Sequence, residues 1–105
     1  MNDQTSAALE RALELSRAVL AAADRGEGEV VLSIDAERLQ LLKSARSSAK
    51  SFDAGQRVLI REIAALNAKS IGALEHQRQL KGREIEQAAV GRRAVRAYAN
   101  ARYPR

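Results

Sequence analysis

The chain has no cysteine and no tryptophan, and only one proline and one histidine in 105 residues. Each absence closes a class of chemistry. Without cysteine there are no disulfides, no thiolate nucleophile and no thiolate metal ligand, which fits a reducing compartment. The one proline, Pro104, is next to last, where it interrupts no helix. The aromatic side chains are Phe52, Tyr98 and Tyr103, too few to interleave with basic residues as a stacking platform for nucleic acid. No apolar run approaches the ~20 residues needed to cross a bilayer. The opening Met1-Asn2-Asp3-Gln4 lacks the charged-then-apolar pattern of a signal peptide. The expected location is therefore the cytoplasm, with no membrane insertion.

What is present is helix-forming. Ala, Leu, Glu, Arg and Gln dominate the sequence. The length suits one domain with one modest core. Net charge is +5, but it is unevenly placed. Residues 1–75 hold 10 basic and 11 acidic side chains, whereas residues 76–105 hold 8 and 2. The basic character belongs to the last third.

The apolar pattern has helical period throughout. Leu9, Leu13, Ser16 and Leu20, flanked by Ala12, Leu15 and Val19, place one helix over residues 3–24. Gly26 and Gly28 close it. Val31, Ile34, Leu39, Leu42, Ala45 and Ala49 place a second over 29–50. Val30-Val31-Leu32 also suits a strand, but no partner strand is in sight. Asp53 with Gln56 reads as a capping box opening a third helix. Its stripe is Leu59, Ile60, Ile63, Leu66, Ile71 and Leu74. Beyond Leu74 the stripe thins, with Arg78 and Lys81 where apolar residues are due, before Ile85 and Ala88 resume it.

The expected fold is all-α: an antiparallel three-helix bundle in one domain, with a long third helix. The helical pattern from residue 53 to about 100 corresponds to roughly 70 Å at 1.5 Å per residue. The first two helices reach only roughly 33 Å each. They can cover half of the third, and its strong stripe stops where that cover ends. Residues 78–105 are thus expected to project. Gly91 is the expected break, dividing helix 53–90 from a short fourth helix over 92–100.

Catalytic and metal chemistry find little to use. His76 has Gly72 and Leu80 at the positions where a second helical ligand would stand. Glu27/Glu29 and Glu84/Glu86 fall near a turn and on a solvated helix, where burial would not raise a pKa. Gly26-Glu27-Gly28 lacks the lysine and hydroxyl of a phosphate loop. No enzyme activity and no cofactor are expected. The basic residues Lys81, Arg83, Arg92, Arg93, Arg96, Arg102 and Arg105 would attract phosphates, but no helix-turn-helix spacing accompanies them. A surface matched to an acidic protein partner fits them better.

One family resemblance rests on short strings. Leu20-Ala21-Ala22-Ala23-Asp24-Arg25-Gly26-Glu27 leads to Ala36-Glu37-Arg38-Leu39-Gln40-Leu41-Leu42, and Gly91-Arg92-Arg93-Ala94-Val95-Arg96-Ala97-Tyr98 follows the third helix. In this order and spacing the chain resembles FliT-like flagellar type III export chaperones. In that family an aromatic often fills the first turn. Here Gly28 stands there, leaving Val30 or Val31 to hold the first two helices together. The resemblance implies a cytoplasmic chaperone that binds the C-terminal region of the filament-cap protein FliD. It would hold that client back from early assembly and deliver it to the export gate and its ATPase complex. Partner contact is expected from Leu74, Leu80, Ile85, Val95 and Tyr98, the anchors of a helix-in-groove mode. Arg92, Arg93 and Arg96 are expected to steer the partner. The sequence leaves open an FlgN-like chaperone for hook-filament junction proteins, a homodimeric helical scaffold, and a basic nucleic-acid-binding helical protein.

Overall fold

A computed structural model of the chain describes residues 3–102. They form three helices: α1 (Asp3–Asp24), α2 (Gly28–Ser48) and α3 (Ala54–Arg102). Among the described residues there is no strand, and Val30-Val31-Leu32 lies within α2. The molecule is a rod of about 83 × 20 × 18 Å. Its length is set by α3, whose 49 residues correspond to roughly 73 Å.

The turn after α1 is closed by a Schellman motif. Gly26 adopts φ +71°, a left-handed conformation that a side chain would strain. The Glu27 N–H donates to the Ala22 carbonyl and the Gly26 N–H to the Ala23 carbonyl, each at 3.0 Å. α2 then runs back along α1, so that the Thr5 hydroxyl meets the Ser48 hydroxyl at 2.7 Å. At the start of α3 the capping box is complete. The Gln56 N–H donates to Asp53 Oδ1 at 2.8 Å, and the Asp53 N–H donates to Gln56 Oε1 at 3.0 Å. The Gln56 side chain also donates to the Ser6 hydroxyl at 3.1 Å, which ties the start of α3 to the start of α1.

α1 is the central helix, because α2 and α3 each pack chiefly on it and touch one another little. This explains its wide buried face. Thr5, Leu9, Ala12, Leu13, Leu15, Ser16, Val19, Ala22 and Ala23 are all buried. The outer helices need only one narrow seam each, and theirs repeats every seven residues: Val31, Arg38 and Ala45 on α2, and Gln56, Ile63 and Ser70 on α3. One cluster, at the open end, joins Leu9, Ala12 and Leu13 to Ala45 and Ile63, with Phe52, Leu59 and Leu66 packed around it. A second, near the turn, joins Val19, Ala22, Ala23 and Val31, with Ile34, Ala73 and Leu74 beside it. Of the two neighbouring valines, Val31 is buried between the first two helices and Val30 is exposed.

Three expectations need correction. Leu39 is 46% exposed and Ile71 52% exposed, because the preceding residues, Arg38 and Ser70, hold the seven-residue seam. Arg38 is carried into the interior by its partners: Nε donates to Asp35 Oδ1 at 2.9 Å and an outer nitrogen to Asn67 Oδ1 at 3.2 Å. The break at Gly91 is absent. α3 passes through it without interruption to Arg102, so 92–100 is the end of one helix and not a separate fourth one.

Candidate functional site

The core ends at a definable place. At the end of α1 an α3 side chain is fastened to it: the Gln77 amide donates to the Asp24 carbonyl at 2.9 Å. That carbonyl belongs to the last turn of α1, where no intrahelical donor remains for it. From Arg78 to Ala99 every residue is exposed except the half-buried Ala89. This stretch is the projection that the length mismatch led us to expect. Tyr103, Pro104 and Arg105 lie outside the described residues, as does the side chain of Arg102.

The five expected anchors do not form one stripe. At 100° per residue, Leu74, Ile85 and Val95 share the face of α3 that continues from the core, within about 80°. Leu80 and Tyr98, eighteen residues apart, project in a common direction about 120° away from Leu74. Leu74 is half-buried against the cluster near the turn, so it belongs in part to the core. Leu80 is 36% exposed, and Ile85, Val95 and Tyr98 are all more than half exposed. Arg92 stands on the core-continuing face and Arg96 at its edge, while Arg93 turns about 100° away from Arg92.

At the root of the projection the turn and α3 enclose a hollow of about 460 Å³, lined by Gly26, Gly28, Leu74, Gln77, Arg78, Lys81, Gly82 and Ile85. It brings together two of the predicted anchors, Leu74 and Ile85. Its polar contributors, Gln77, Arg78 and Lys81, were not among the predicted contact residues. The signal for them was available: Gln77 and Arg78 lie three and four residues after Leu74, and Lys81 four before Ile85. A Cβ at Gly28 or Gly82 would meet nothing within 4 Å, whereas one at Gly26 would lie 2.9 Å from Gln77 Oε1.

His76 is exposed. Among the described residues no group of three His, Cys, Asp or Glu side chains is placed to hold a metal ion. No helix among them is long and apolar enough to cross a membrane. No family model matches the chain, and neither a curated protein nor a solved structure does.

Proposed function

We propose that this chain is a non-enzymatic, cytoplasmic helical chaperone that holds a helical segment of a client protein against the projecting half of α3. The observation that carries this reading is the exposed helix itself. More than twenty residues of α3 leave the core with apolar side chains such as Ile85 and Val95 uncovered and basic side chains beside them. Such a helix is a ready surface for a second amphipathic helix. Its low apolar density keeps it soluble while empty. The resemblance to FliT-like export chaperones names the client class: the C-terminal region of the filament-cap protein FliD, carried to the type III export apparatus.

The test uses purified components. The chain is mixed with the filament-cap protein of the same organism and run on a sizing column, and the experiment is repeated with Arg92, Arg93 and Arg96 changed to Glu. Co-elution of the unchanged chain, with association slowed in the triple variant, supports the reading. Failure of the cap protein to co-elute with the unchanged chain overturns that client.

A further inference from the structure

The face of α3 that packs on α1 does not stop where α1 stops. Ile63 and Ser70 are buried on it, Leu74 is half-buried, and Gln77 is bonded to Asp24. At the same three- and four-residue spacing it continues through Lys81, Ile85, Ala88, Arg92 and Val95. Lys81 and Ile85 line the hollow beneath the turn together with Gly26 and Gly28, which places them on the α1 side of the helix. Cations therefore stand within the stripe. Lys81 and Arg92 interrupt it, and Arg78 and Arg96 edge it. Within the projection Glu84 is the carboxylate near this face, since Glu86 points to the far side, and at its root Glu27 and Glu29 line a second hollow with Lys81. None of these four cations makes an ion pair among the described residues.

This arrangement discriminates between occupants. A second copy of the chain would set Lys81 and Arg92 against the same cations of its partner, in a seam where like charges oppose pairing. A helix bearing carboxylates beside its apolar stripe would neutralise them and cover Ile85 and Val95 at once.

We propose that this face receives one amphipathic helix with acidic flanks, laid in the line that α1 vacates, with its end seated in the hollow against Gly26 and Gly28. The proposal rests on the client-binding reading and gives the client segment its chemistry. Residues 78–102 offer roughly 37 Å of helix, enough for a partner segment of about 20 residues. Gly28 and Gly82 leave the hollow open to a close approach of the partner backbone.

The test uses the full chain and three labelled 21-residue peptides followed by fluorescence anisotropy. The first carries Leu and Ala on one face flanked by Glu. The second replaces Glu with Lys. The third scrambles the first, keeping its charge and losing its face. The expected result is binding of the first peptide, at least about tenfold tighter than the other two and weaker at higher salt. The Lys81→Glu/Arg92→Glu chain, checked for unchanged helicity, should reverse the preference in favour of the Lys peptide. Equal binding of the scrambled peptide, no binding of any peptide, or an unchanged preference in the double variant would each overturn the proposal. So would duplex DNA displacing the Glu peptide at equal concentration, or a dimer of the chain alone that the double variant disrupts. The two readings fail separately. Binding of the Glu peptide without capture of the filament-cap protein retires that client and leaves the face standing. Capture of the cap protein equally well by the double variant keeps the chaperone and removes this surface from it.

Discussion

Gln77 holds Asp24: the side-chain amide of one lies 2.9 Å from the backbone carbonyl of the other. This bond closes the end of α1 and marks the point at which α3 leaves the bundle. The same glutamine packs where a Cβ on Gly26 would fall. The turn and the root of the projection are therefore one unit, and a change in the turn is felt by α3.

Gly26→Ala should destabilise the fold by about 1–2 kcal/mol. The cost is mainly the left-handed backbone, which a Cβ opposes. The contact with Gln77 adds less, because it involves the far end of a flexible side chain. Gln77→Ala should cost about 1 kcal/mol, the usual net value of one hydrogen bond. Urea unfolding followed by circular dichroism measures both. If Gly26→Ala is neutral, the turn is not in the left-handed conformation.

Ile63→Ala and Ile85→Ala should separate core from projection. Ile63 is 5% exposed within the main cluster, and its truncation should cost about 2–5 kcal/mol. Ile85 is 69% exposed, and the same truncation should change stability by no more than about 0.5 kcal/mol. Equal effects on the unfolding midpoint would mean that Ile85 is covered in solution.

Most of the architecture was legible because it rests on local rules. The left-handed glycine, the Asp53/Gln56 capping box and the two helix lengths follow from short-range chemistry, and each is present in the structure. The misses came from tertiary packing. Periodicity favoured Leu39 and Ile71 for burial because they are apolar, yet Arg38 and Ser70 hold the buried seam, Arg38 with its charge met by Asp35 and Asn67. Gly91 was read as a break because glycine weakens a helix. A single glycine among good helix formers is tolerated when helix continues on both sides. The expected anchors are sparse, and 3.6 residues per turn divides them into two directions. The polar lining of the hollow shares the three- and four-residue spacing of Leu74 and Ile85, but polar side chains do not stand out in an apolar pattern.

Truncation after Gln77 should leave a folded core. Residues 78–99 are exposed apart from Ala89, so their removal takes away little buried surface. The denaturant dependence of unfolding, which follows the area exposed, should barely change. Total helical signal should fall, because roughly a quarter of the chain is lost from one helix. A core that no longer unfolds cooperatively would show that the projection supports it.

Gly82→Ala and Gly91→Ala should stiffen the projection without touching the core. Neither glycine has a positive φ, and a Cβ at either would meet nothing within 4 Å. No packing in the free chain therefore calls for glycine at these positions, and each substitution should stabilise the local helix by about 1 kcal/mol. Slower amide hydrogen exchange over residues 78–102, with an unchanged core melting temperature, is the expected result. The effect on binding then reveals what the glycines are for. Tighter binding would follow from a helix better organised before the client arrives. Weaker binding by Gly82→Ala alone would mean that the client backbone occupies the space beside it, because Gly82 lines the hollow and Gly91 does not.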